Sequence, residues 1–189
     1  FATLGHAAER AGFKGVSLDI EYPYQRYALD NRIYRYEDYT AGELLAGAHR
    51  QGRAVVAGLL DEFPEAVVFV LPGGLRGYPI GEQFMLGMLE EMARRDAPGG
   101  LHFATEYSYK LTDPVTTAAI SRLEDPAIGD LASPEAALYW RARCSMAPGV
   151  WPMRMVEDTS PDYVKRPWPE ELRDLAEQYT ILRSATKHY

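Results

Sequence analysis

The sequence has 189 residues, of which 47% are hydrophobic and 25% charged, as is typical of a globular domain. No apolar run approaches the roughly 18 residues needed to cross a bilayer, and the net charge of -7 repels nucleic acid and anionic lipid. We therefore expect neither a nucleic acid nor a membrane as partner. The single cysteine, Cys144, excludes an intrachain disulfide and does not indicate a cellular compartment.

The chain begins with a predicted helix and a predicted strand. Residues 2–11 place apolar side chains at helical spacing, and Gly12 then favours a left-handed helix end. Residues 14–20 alternate between apolar and polar side chains, which predicts a strand packed on one face. The polar face carries Ser17, Asp19 and Glu21.

A long aromatic connection, residues 22–39, separates this strand from the next predicted helix. Thr40 and Glu43 have the spacing of a capping box, and the apolar repeat that follows ends before Pro64. Residues 66–71 form a continuous apolar run, which predicts a strand buried on both faces of a parallel sheet.

Helices and strands continue to alternate through the second half of the chain. Ser133 and Pro134 are predicted as the N-cap and first residue of one of these helices. The predicted helices are 82–95, 114–123, 134–146 and 169–187, and the predicted strands are 101–106 and 150–156.

This alternation predicts a single α/β domain, residues 1–189, with a parallel sheet. We expect a (β/α)8 barrel of the TIM type that is only partial, with about four βα units, because about 250 residues are typical of the whole fold. The alternative is an open doubly wound sheet. A partial barrel has two open edges, so we expect the chain to be a fragment of a longer protein or to need a partner chain.

The polar face of the first strand suggests acid–base chemistry. Asp19 and Glu21 lie on one face at the carboxyl end of that strand, where ligand sites of parallel α/β folds assemble. Two neighbouring carboxylates repel each other, so one stays protonated and can donate a proton while the other stays charged. The alternative is a solvated strand end.

The segment Phe13-Lys-Gly-Val-Ser-Leu-Asp-Ile-Glu-Tyr-Pro23 resembles the Asp-x-Asp-x-Glu signature of the chitinase-type glycoside hydrolases, family 18. The resemblance implies a barrel in which Glu21 is the general acid and Asp19 orients it and the reacting acetamido group. Lys14 and Ser17 depart from the signature, which has acidic residues there. The layout also resembles uncharacterised bacterial barrel proteins described as glycosyl hydrolases.

A second carboxylate comes from the strand predicted at 101–106. This strand places His102 and Glu106 on one face, with Glu106 at the carboxyl end. Together with Glu21 it would supply the carboxylate pair of a glycosidase, about 5–5.5 Å apart for retention or 6.5–9.5 Å for inversion. The alternatives are an ion pair of Glu106 with Arg154 and a structural role for His102 in the core.

Aromatic residues near the predicted strand ends favour a carbohydrate substrate, because sugar rings pack their C–H faces on aromatic rings. Arg154 is a further candidate for substrate binding. The aromatic candidates are Tyr22, Tyr24, Tyr107, Tyr109 and Trp151.

Two other functions remain open. The first is a metal-dependent isomerase or hydrolase, because oxygen and imidazole ligands for a divalent metal are present in Asp19, Glu21, His102 and Glu106. The second is a non-catalytic barrel that binds carbohydrate through the same carboxylates. For the glycoside hydrolase we expect no cofactor.

Overall fold

The computed structural model describes residues 1–20, 38–71, 79–105, 131–148 and 176. Helices and strands alternate along these residues. The elements are α1 (Ala2–Arg10), β1 (Gly15–Asp19), α2 (Ala41–Glu62), β2 (Val67–Leu71), α3 (Pro79–Arg94), β3 (Leu101–Thr105), α4 (Pro134–Arg143) and β4 (Ser145–Pro148). The predicted α/β class is therefore confirmed.

The four strands form one parallel sheet in the order β1-β2-β3-β4. Consecutive neighbours joined by right-handed crossovers place every connecting helix on the same face of the sheet. The helix contacts agree, because α1 packs on α2, α2 on α3 and α3 on α4. In the part of the chain that the structure describes, the strands thus follow one another in chain order and the helices pack in succession, whereas a doubly wound sheet reverses its strand order and carries helices on both faces.

The core lies between the sheet and this helix layer. In β1, Leu18 is buried there while Ser17 and Asp19 are exposed on the opposite face, as the alternation predicts. In β2, Val68 and Val70 are fully buried. The ring of Phe103 in β3 stacks on that of Trp140 in α4 with 5.7 Å between the ring centroids. Other core residues of the strands are Leu101 and Met146.

The prediction that β2 is buried on both faces is wrong. Val67, Phe69 and Leu71 are only half-buried, in alternation with the buried Val68 and Val70. Val68 and Val70 belong to the core cluster that the described helices form with the sheet, whereas the three half-buried residues do not. We refer to the opposite face as the open face, although its residues in β3 and at the start of β4 are buried.

Capping residues and a glycine explain where α2 and α4 begin and where α1 ends. The Thr40 side chain accepts a hydrogen bond from the Glu43 amide at 3.2 Å, and the Glu43 carboxylate accepts one from the Thr40 amide at 2.8 Å, which confirms the capping box. Ser133 caps α4 with Pro134 in its first turn, also as predicted. After α1 the chain turns through Gly12 at φ +75°, a conformation that glycine adopts without strain.

The fourth strand corrects the sequence analysis. The helix predicted for 134–146 ends at Arg143, and residues 145–148 form β4 beside β3. Cys144 already has extended backbone angles, φ -112° and ψ 165°. The predicted segments 114–123, 150–156 and 169–187 lie outside the described residues, apart from Ala176. Among the described helices, none is long and apolar enough to span a bilayer.

Candidate active site

The sequence analysis predicts the site on the open face, at the carboxyl end of the sheet. The register places Asp19 of β1 level with Leu71 of β2, and continuing it across the sheet brings Ala104 of β3 and Ala147 of β4 to the same level. Asp19 is the last residue of β1 and its side chain is exposed. One acidic group therefore borders a row of apolar side chains at the sheet edge.

The backbone remains part of the sheet one residue beyond Asp19. The amide of Ile20 donates a hydrogen bond to the Leu71 carbonyl at 2.8 Å. This bond holds the position and direction in which the chain leaves β1. Glu21 is the next residue in the sequence, and Glu106 likewise follows Thr105, the last residue of β3.

Of the nine predicted site residues, Asp19 is described by the structure, and it lies where the sequence predicted. The other eight fall outside the described residues, so their predicted convergence with Asp19 stays a prediction. Those eight are Glu21, Glu106, Tyr22, Tyr24, Tyr107, Tyr109, Trp151 and Arg154.

His102 lies on the open face but closer to the amino end of the sheet. It occupies one row with Ser17, Phe69 and Ser145, two residues before the row of Asp19. His102 is buried, and its Nε2 lies 3.1 Å from the Gly99 carbonyl oxygen while its Nδ1 lies 3.0 Å from the Ser145 hydroxyl. Because a carbonyl only accepts, Nε2 donates to Gly99, and in the neutral ring Nδ1 then accepts from the Ser145 hydroxyl.

This geometry agrees with the structural reading of His102. Two strand spacings and two residues separate the backbone positions of Asp19 and His102, a distance of about 12 Å, and the ring is held toward Gly99 at the amino end of β3. Within the described ranges, no group of three or more His, Cys, Asp or Glu side chains is arranged to hold a metal ion.

Ser145 is a partner of His102 that the sequence analysis missed. It was predicted inside a helix, so its position beside His102 could not be foreseen. The signal that identifies it is the short run Ser-Met-Ala-Pro, in which Ser145 and Ala147 alternate with the buried Met146.

We expect Ser145→Ala to lower the free energy of unfolding by about 1–2 kcal/mol, because the buried Nδ1 of His102 loses its hydrogen-bond donor. Urea denaturation measures this loss. Ser17→Ala is the matched control, since Ser17 is in the same row but exposed, and we expect it to change stability by less than about 0.5 kcal/mol. Equal effects of the two substitutions would contradict a structural role for the His102–Ser145 pair.

Comparison with known proteins assigns this arrangement to no family. A scan of protein-family models matches none of them, and searches of the curated proteins and of the solved structures return no similar protein.

Proposed function

We propose that this chain is a glycoside hydrolase built on a barrel of the (β/α)8 type. In this proposal Glu21 donates the proton to the leaving oxygen, Asp19 orients Glu21, and Glu106 is the second carboxylate. The observation that carries the proposal is the exposed Asp19 at the carboxyl end of β1, on the open face of a parallel sheet. Barrel enzymes place their catalytic groups at that end of the strands.

The winding of the sheet supports the barrel. A barrel has its strands in sequential order with one helix layer on the outside; β1 to β4 have this order, and the described helices α1 to α4 pack in succession. The open face would then line the interior of the barrel. Four strands are half the number that a closed barrel of this type contains.

The strand directions support the carboxylate pair. β1 and β3 are parallel with β2 between them, so their carboxyl ends lie at one edge of the sheet, about 10 Å apart at a spacing of about 4.8 Å per strand. Glu21 and Glu106 come one or two residues after these ends. This closeness of the two strand ends supports a carboxylate pair that acts on one glycosidic bond.

The experiment is turnover of a panel of aryl glycosides by the wild-type chain and by Glu21→Gln. We expect the substitution to reduce kcat by roughly 10²–10⁴-fold, the usual contribution of a general acid. The loss should be large for phenyl glycosides and small for dinitrophenyl glycosides, because a good leaving group needs no proton. A merely structural effect would reduce both rates equally.

Glu65→Gln is the matched control. Glu65 is an exposed carboxylate just before β2, at the amino end of the sheet, and its removal should leave turnover unchanged. Full activity of Glu21→Gln would remove Glu21 from the mechanism. Glycan binding by the wild-type chain without any turnover would contradict hydrolysis and support the non-catalytic alternative.

A further inference from the structure

Three arginines converge on one buried carboxylate where α2 crosses α3. The side chain of Glu91 in α3 is only 4% exposed, and its two oxygens accept four hydrogen bonds from the three guanidinium groups. An ionised carboxyl group has about four lone-pair sites, so these bonds fill the acceptor capacity of Glu91. Any other N–H group of the arginines must find its acceptor elsewhere. The three are Arg53, Arg94 and Arg95.

Two of these arginines use few of their donors. A guanidinium group carries five N–H donors, of which Arg53 gives one to Glu91, at 3.3 Å, and Arg94 gives two. Among the residues that the structure describes, neither side chain makes a hydrogen bond or ion pair with any other group. Arg53 is 44% exposed and Arg94 is 55% exposed. Both therefore present N–H groups to solvent.

The charges of this cluster do not balance. Arg95 is the most covered of the three arginines, at 26% exposed, and its second carboxylate is Asp61 of α2, at 2.8 Å. The neighbouring carboxylate of Glu90 lies 3.0 Å from His49 instead. Three guanidinium groups thus share the two carboxylates of Glu91 and Asp61. One positive charge is left over, on the two exposed arginines.

Arg53 and Arg94 are close enough to bind one ligand together. Nη2 of Arg53 and Nε of Arg94 both donate to the same atom, Oε2 of Glu91, at 3.3 and 3.0 Å. Glu91 thus holds two like charges side by side although they repel each other. Because both side chains are already held before a ligand arrives, binding costs little of their conformational entropy. Planar guanidinium groups in such positions match the oxygens of a phosphate.

We propose that Arg53 and Arg94 form a binding site for a phosphate group, either on a phosphorylated small molecule or as the free ion. Its oxygens accept hydrogen bonds from both guanidinium groups at once, and its negative charge compensates the positive charge left over. Glu91 orients the two arginines and does not itself contact the ligand. The site lies on the solvent side of α2 and α3 and is independent of the proposed hydrolase chemistry at Asp19.

The first test is calorimetric titration of the 189-residue chain with inorganic phosphate and with phenyl phosphate, at an ionic strength held constant with chloride. We expect saturable binding with a Kd of about 1 mM. Arg53→Gln and Arg94→Gln should each weaken it about 10-fold or more, because each removes a charge and its donors. Arg10→Gln is the matched control, since it removes the same charge from an exposed position in α1, and it should leave the Kd unchanged.

The two probes distinguish the source of the phosphate group. Equal or tighter binding of phenyl phosphate would identify a phosphorylated molecule as the ligand, and binding of inorganic phosphate alone would identify the free ion. Either result supports the site. A chain that binds neither probe in large excess would overturn the proposal. Binding that both Arg53→Gln and Arg94→Gln leave unchanged would overturn it as well.

The second test uses the wild-type chain and therefore does not depend on the folding of a variant. Phenylglyoxal modifies accessible guanidinium groups, and mass spectrometry of the peptides reports the rate for each arginine. We expect phosphate to slow the modification of Arg53 and Arg94 several-fold and to leave the exposed Arg10 and Arg143 unaffected. Equal protection of all four arginines would show a general effect of phosphate and contradict a site at Arg53 and Arg94.

Discussion

Replacing Gly52 by Ala should lower the free energy of unfolding by about 3 kcal/mol, at the upper end of what overpacking costs. Gly52 in α2 lies against α3, and a Cβ atom there would stand 2.0 Å from the carbonyl oxygen of Phe84. The reciprocal contact is as close, because a Cβ atom at Gly87 in α3 would stand 2.0 Å from the carbonyl oxygen of His49. Backbone atoms cannot turn away as a side chain does, so the helices must separate.

Urea denaturation of Gly52→Ala, Gly87→Ala and the double variant measures this effect. Both single substitutions should destabilise by similar amounts, and the double variant by less than their sum, because helices parted by the first methyl group already have room for the second. Gly47→Ala is the control in the same helix, where a Cβ atom meets nothing closer than 3.9 Å. It should stabilise the protein by about 0.5–1 kcal/mol, since alanine favours a helix. Additive losses would contradict a shared crossing point.

The crossing of α2 and α3 shows what periodicity predicts and what it omits. The apolar repeat of α2 and its capping box predict the bounds of this helix within a residue or two. Gly52 lies on the same stripe as Val55, Val56 and Leu59, three, four and seven residues later, and all of these are buried. The stripe thus marks Gly52 as facing the core. The stripe does not reveal that Gly52 packs on the backbone of α3, because a glycine has no side chain that would indicate its partner.

The error at β4 has a different cause. Ala136, Trp140 and Cys144 are apolar at intervals of four residues, which also suit a helix, and no glycine marks the end of α4. The strand is selected by tertiary pairing, because β3 offers an edge on which residues 145–148 form a parallel ladder. Such pairing depends on residues more than 40 positions apart, so a local pattern cannot show it.

For the candidate site, the sequence predicts only which face of its strand each residue lies on. Alternation correctly placed Ser17 and Asp19 on one face and Leu18 on the other, because a two-residue period is a local property. It also placed His102 on the open face. The alternation does not predict the hydrogen bonds of His102 to Gly99 and Ser145, because they depend on how β3 and β4 pair.

Replacing Glu91 by Gln should cost about 2–3 kcal/mol of stability at pH 7. Glu91 in α3 has a side chain that is only 4% exposed, and its carboxylate accepts hydrogen bonds from Arg94, Arg95 and Arg53 at 3.0, 2.8 and 3.3 Å. Arg53 belongs to α2, so this cluster joins the two helices near their crossing. Removing one charge of a buried ion pair leaves the remaining charges poorly compensated.

The pH dependence of stability should identify the same group. The pKa of Glu91 is lowered from 4.5 to about 2, mainly by the hydrogen bond from Arg94, with burial acting in the opposite direction and hydrogen bonds from Arg95 and Arg53 adding to the decrease. A carboxylate with a lowered pKa in the folded state stabilises the fold above the pKa of the unfolded chain. This contribution, up to roughly 3 kcal/mol, is lost as the pH falls from about 5 toward 2.

Urea denaturation from pH 7 to pH 3 of the wild type, Glu91→Gln and Asp61→Asn separates this contribution from the other carboxylates. The difference between wild type and Glu91→Gln should be largest at pH 7 and should narrow at pH 3, because the Glu91 carboxylate of the unfolded chain then binds a proton while that of the folded protein, with its lowered pKa, stays mostly ionised. Asp61 also pairs with Arg95, at 2.8 Å, but its side chain is 61% exposed, so Asp61→Asn should cost less than about 1 kcal/mol. If the stability difference between wild type and Glu91→Gln were the same from pH 7 to pH 3, the substitution would act through packing. The buried charge of Glu91 would then contribute nothing to holding α2 on α3.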